Sequence, residues 1–164
     1  LTMNNPQLRK FIADFSRNEK ISPDKKYSAK DAQFDAQKNL KVVRITAVKE
    51  RMLYDITRFE VKAGQPVKLE FINPDATPHN LVIVKPGSGE EVGLAATLMA
   101  ADPQKAKSGQ FIPKTDKVLF HTRMVPPISG ESLRFMAPTE PGEYPYICSF
   151  PGHWTIMKGV MVVK

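Results

Sequence analysis

The chain has a single cysteine, Cys148, so no internal disulfide can form. That thiol is a buried inert side chain, an intermolecular partner, a nucleophile or a metal ligand. No apolar run is long enough to cross a bilayer, which argues against direct membrane insertion. There is no glycine-rich phosphate loop, internal repeat or low-complexity tract. No basic segment followed by an apolar stretch and a small-residue cleavage site opens the chain, so an export signal or anchor is expected to have been removed or to lie outside it. Basic residues are in excess, with a net charge of +7, but no nucleic-acid motif accompanies them and no nucleic-acid partner is expected.

What is present fits one globular domain. The 164 residues are 41% hydrophobic and 25% charged, as in ordinary folded domains, and that length supports one core. Residues 1–50 hold eleven Lys/Arg against six Asp/Glu, so the positive excess sits near the N-terminus. Such charge either steers an acidic partner or keeps a face solvated, and we read it as a solvated face.

Residues 1–38 read as a helical arm. Asn5 is the expected cap, Pro6 suits the first turn, and Leu8, Phe11, Ile12 and Phe15 recur at helical spacing. Ser22-Pro23-Asp24 should break that helix, and Ser28 with Asp31 forms a capping box for a second stretch towards Lys38. The arm either packs on its own domain, the reading we adopt, or docks onto another domain or subunit.

From Leu40 the apolar period becomes two. Strands are expected at residues 40–48, 53–61, 67–73, 79–84, 117–122, 132–136, 144–148 and 159–163. This is an all-β pattern of about eight strands, suited to a Greek-key sandwich or barrel over residues 39–164. Residues 85–116 interrupt it with a helical flap, rich in helix formers from 90 to 101.

The chemistry concentrates in Cys148-Ser-Phe-Pro-Gly-His153-Trp-Thr-Ile-Met157, between two expected strands, with His79 opening an apolar strand elsewhere. Alone, each residue has a plainer explanation: a core thiol, a core methionine, a hydrogen-bonded histidine. Together, two of the three histidines and the only cysteine fall into a copper-compatible set. Two imidazoles, a thiolate and a weak axial thioether make up a blue-copper electron-transfer site. Pro151-Gly152 supplies the bend that returns His153 towards Cys148. His121 is read as a surface histidine at a strand end.

Residues 116–164 resemble azurin through Lys117-Val-Leu-Phe-His121-Thr-Arg, Ser132-Leu-Arg-Phe, Gly142-Glu-Tyr, Cys148-Ser-Phe-Pro-Gly-His153 and Met157-Lys-Gly159. His79-Asn80 is similar to the first ligand and its companion in azurin-like proteins, and the related auracyanins share the plan. The resemblance is to the azurin and auracyanin branch of the cupredoxin family. It implies His79, Cys148 and His153 as strong copper ligands and Met157 as the axial one, with the Pro78 carbonyl as a weak fifth contact. It also implies that Asn80 ties the ligand loops together near Ser149, and that the Phe150 amide donates to the Cys148 sulfur. Azurins usually have glycine where Pro78 stands, and their disulfide cannot form here. Trp154, after His153, is a further departure: with Phe150 and Pro151 it either enlarges a docking patch, the reading we adopt, or folds over the barrel end.

The expected function is single-electron transfer with a c-type cytochrome, a dehydrogenase or an oxidase, in the periplasm or otherwise outside the cytoplasm. An electron-transfer domain of a larger redox enzyme, suggested by the arm and the start at Leu1, is the alternative; a copper carrier is a weaker one. An enzyme is not expected, because a copper oxidase or nitrite reductase needs a further copper and only His121 remains to bind it.

Overall fold

In the computed structural model the described residues are 4–18 and 27–164. The break expected at Ser22-Pro23-Asp24 lies outside them. The elements are α1 (Asn5–Asn18), α2 (Ala29–Asp35), β1 (Lys41–Val48), β2 (Leu53–Tyr54), β3 (Arg58–Val61), β4 (Pro66–Asn73), β5 (Val82–Val84), α3 (Gly89–Ala101), α4 (Pro103–Ala106), β6 (Val118–His121), β7 (Ser129–Met136), β8 (Gly142–Ile147) and β9 (Lys158–Val163). They form two sheets, ordered β2-β1-β4-β7 and β3-β9-β8-β5-β6. The pairs β1/β4 and β3/β9 are parallel and the other pairs antiparallel. Alternate side chains point inward, so Ile45, Leu69, Phe71, Ile83, Tyr146 and Met161 meet in one core between the sheets.

The stretch expected as one strand at 53–61 is two, because the chain changes sheets there. Asp55 closes the first sheet, its amide bonding the Thr46 carbonyl and its carboxylate accepting the Thr46 amide at 2.7 Å. The Ile56 carbonyl then accepts the Tyr146 hydroxyl at 2.6 Å, and β3 joins β9 in the second sheet. The strand expected at 79–84 also begins later. His79 keeps only an isolated bridge to Val125, and the Leu81 amide goes to the Thr122 hydroxyl. β7, in contrast, starts earlier than the expected 132.

That early start has a packing cause. Along β4, Phe71 faces the inner core while Ile72 faces outward, yet both are fully buried. Phe11 and Phe15 of α1 cover Ile72, each contributing roughly 1.5–3 kcal/mol by burial. Gly130 of β7 pairs with Ile72, and a Cβ there would lie 2.8 Å from the Phe15 ring. Gly130, outside the strand expected from residue 132, therefore belongs to the ladder and makes space for the arm.

The cap of α1 is Asn4 rather than Asn5. The Asn4 side chain accepts the Gln7 amide at 3.0 Å, and the Gln7 side chain accepts the Asn4 amide at 3.0 Å, a reciprocal box that needs a three-residue spacing. The box at Ser28 and Asp31 forms as expected. α2 then lies on the outer sheet, where the Arg134 guanidinium makes two bonds to Asp35, at 2.7 and 2.8 Å. Lys68 lies 3.3 Å from the same carboxylate, and the Tyr27 ring stacks on Arg134 at 5.3 Å. The described part of the arm thus packs on its own sandwich.

Candidate metal centre

Two loops at one end of the sandwich carry the site. The first leaves β4 at Asn73, whose buried side chain accepts the Asp75 amide at 3.0 Å and donates to the carbonyls of Thr77 (2.9 Å) and Val125 (3.0 Å). This clamp fixes the 74–78 turn and presents His79 inward, fully buried.

The second loop runs from Cys148 to Met157. The His153 amide bonds the Phe150 carbonyl at 2.9 Å, and Gly152 has φ of +84°. Proline at the second position and glycine with positive φ at the third fit a type II turn. The His153 carbonyl then accepts the amides of Ile156 and Met157, and the Met157 carbonyl accepts the Cys148 amide at 3.0 Å. The loop closes on itself, with Cys148 and Met157 both fully buried in the core.

The donors converge. Cys148 Sγ lies 3.8 Å from His79 Nδ1 and 3.7 Å from His153 Nδ1. The ligand atoms of the three residues lie within 4.8 Å of one another, the only such group of three or more His, Cys, Asp or Glu among the described residues. Bonds of about 2.0–2.1 Å to nitrogen and about 2.3 Å to sulfur, the lengths zinc makes, would set such donors about 3.8 Å apart at an angle near 120°. The observed spacing therefore fits one small ion between three donors, and two imidazoles with a thiol and a nearby thioether suit copper.

Burial holds all three groups neutral without metal. It pushes the Cys148 thiol up to about 11, against the lowering effect of backbone N–H donors from Asn80 and Phe150. It pushes His153 down to about 4, assisted by His79, with Asp75 acting the other way. Both imidazoles thus offer lone pairs at neutral pH, and metal uptake must displace the thiol proton.

Asn80 bonds Ser149 as the resemblance implied, and the Phe150 amide reaches the Cys148 sulfur. The Asn80 amide does so too, a donor that sequence reasoning missed. It also missed Asp75, whose carboxylate meets His79 Nε2 at 2.9 Å. The signal available was an aspartate four residues before the histidine, in an Asn-Pro-Asp turn. Pro78 is half-buried beside His79, and His121 is exposed at the end of β6.

His153 is 6% exposed, whereas His79, Cys148 and Met157 are fully buried. The half-buried Phe150 and Pro151 flank it, with the Phe150 ring 4.5 Å from the imidazole. Trp154 is half-buried and turned toward the flap. Its ring lies over Gly93 of α3, and its Nε1 donates to the Thr97 hydroxyl at 3.1 Å. It packs with Val82, Val84, Val92 and Ile147 and so fastens the flap.

Residues 41–164 match the family described as copper binding proteins, plastocyanin/azurin family. Auracyanin-A of Chloroflexus aurantiacus is 32% identical over 125 residues, 74% of each chain. An azurin of Pseudomonas chlororaphis is 35% identical over 88 residues, 52% of this chain and 65% of the azurin. The structure of auracyanin A, described as a "blue" copper protein, superposes with a TM-score of 0.67 at 29% identity, covering 76% of this chain and 99% of that one. With its two-sheet fold and its buried His-Cys-His cluster beside a methionine, the chain belongs to the plastocyanin/azurin family of copper-binding proteins, as an azurin-like cupredoxin.

Proposed function

We propose that His79, Cys148, His153 and Met157 hold one type 1 copper ion, and that the protein uses it to pass single electrons between redox partners. The observation that carries this reading is the approach of both Nδ1 atoms to the buried Cys148 sulfur, at 3.8 and 3.7 Å. Bound copper supplies a one-electron Cu(II)/Cu(I) couple.

The protein's part is to hold the donors still. Asn73 clamps the His79 loop, the type II turn sets His153, and Asn80 joins the two loops. A site so restrained needs little rearrangement when its charge changes, which favours fast electron transfer. Core packing keeps water from Cys148 and Met157. The imidazole edge of His153, framed by Phe150 and Pro151, is the exit towards a partner. That partner is a c-type cytochrome, a dehydrogenase or an oxidase, outside the cytoplasm; among the described residues no helix is long and apolar enough to cross a membrane. Residues 39–164 form the copper unit and residues 1–38 an arm, whose described part packs against β4 and β7.

A carrier role is favoured over a copper oxidase or nitrite reductase because His121, the remaining histidine, is exposed and belongs to no second cluster among the described residues. Cyclic voltammetry of the copper-loaded protein tests the role. One reversible one-electron wave is expected; an irreversible wave, or turnover of nitrite or dioxygen, would contradict it.

A further inference from the structure

The Asp75 carboxylate is 4% exposed and fully engaged. Oδ2 meets His79 Nε2 at 2.9 Å, and Oδ1 accepts the amides of Ala76 at 2.8 Å and Glu50 at 3.3 Å. The Asp75 amide is held by the Asn73 side chain. Both carboxylate oxygens thus act as acceptors, one facing the imidazole and the other two backbone amides. A carboxylate can only accept, so the His79 nitrogen that meets it is the one that donates. That assigns the proton to Nε2 and leaves the Nδ1 lone pair facing Cys148.

The two candidate ligand imidazoles therefore differ. His79 is fully buried and backed by the Asp75 carboxylate, while His153 is 6% exposed and has the Phe150 ring against it.

We propose that Asp75 is a positioning residue of the metal centre: it fixes the Nε2–H tautomer of His79 and, by its charge against that ring, holds the reduction potential down. This rests on the copper reading above. The physical reason is that a buried anion favours the oxidation state with the greater positive charge, and a site with few mobile dipoles screens it little.

Two measurements test it. In the metal-free wild-type protein, nitrogen-15 NMR of labelled histidine should show His79 protonated at Nε2 at neutral pH, and a proton on Nδ1 would overturn the proposal. In the copper-loaded Asp75→Asn variant, the amide oxygen can still accept from Nε2 while the charge is gone. The blue band should persist, and the relative affinity for Cu(II) over Cu(I) should fall about tenfold, a potential about 59 mV higher. Glu143→Gln, which removes an exposed charge, should leave the potential in place. An unchanged or lower potential in Asp75→Asn, with the blue band intact, would overturn the proposal. The NMR result needs no variant and stands if Asp75→Asn does not fold. Failure of the copper reading looks different: wild-type protein that shows no blue band with copper overturns that reading, and this proposal with it.

Discussion

Asn80 and Ser149, 69 positions apart, exchange two buried hydrogen bonds: Asn80 Nδ2 donates to the Ser149 hydroxyl at 2.8 Å, and the Ser149 amide donates to Asn80 Oδ1 at 2.7 Å. Asn80 follows His79 and Ser149 follows Cys148, so this exchange sets one ligand loop against the other. The Asn80 carbonyl also accepts the Tyr54 hydroxyl at 2.6 Å, which anchors the pair to the core.

Asn80→Ala leaves the Ser149 amide buried without its partner. An unsatisfied buried donor costs about 1–3 kcal/mol, so a loss of about 1–3 kcal/mol is expected in denaturant unfolding of the metal-free protein. A wild-type midpoint would show that the loops do not depend on this bond.

Met157→Leu keeps core volume and should cost less than about 1.5 kcal/mol. Because an axial thioether is a weak ligand, the blue band should remain while the potential moves. Loss of all copper binding would contradict the axial role.

Gly93→Ala tests how the flap is fastened. A Cβ there would lie 2.3 Å from the Trp154 ring, so the indole must move, at a cost of about 1–3 kcal/mol. Trp154 is the only tryptophan, and its fluorescence should shift to the red as it gains water. Unchanged emission would contradict the observed contact.

The arm should respond to acid. Burial raises the Asp35 carboxyl, but Arg134 and Lys68 lower it further, so its value in the folded protein lies below the unfolded one. Its contribution is therefore complete above the unfolded value of about 3.9 and fades as pH falls through the folded one. The protection of α2 amides from hydrogen exchange, taken relative to the intrinsic rate at each pH, should be higher at neutral pH than in strong acid. Deleting residues 1–38 should lower stability, by uncovering Ile72, while leaving the visible spectrum of the copper-loaded protein unaltered. A collapsed spectrum would make the arm part of the site.

The convergence of His79, Cys148 and His153 was partly legible because Cys148 and His153 lie in one short segment whose Pro-Gly turn announces its bend. The sheets were legible from alternation, and the flap from its helix formers. Three features depended on contacts between distant parts of the chain. Asp75 reads as a loop aspartate until Asn73 is seen to clamp its turn. Gly130 falls outside the strand expected from 132, and its place in the ladder shows only once Phe15 is packed on it. The direction of Trp154 is set by the missing side chain at Gly93, 61 positions earlier in the chain.

The most direct test is to add one equivalent of Cu(II) to the metal-free protein and to its Cys148→Ser variant, and to record visible absorption and electron paramagnetic resonance together. The wild type should develop an intense blue band with narrow copper hyperfine splitting, and the variant, folded by circular dichroism, should not. A pale, ordinary copper spectrum in the wild type, or the same blue band in the variant, would contradict the assignment of Cys148 as the thiolate ligand of a type 1 centre.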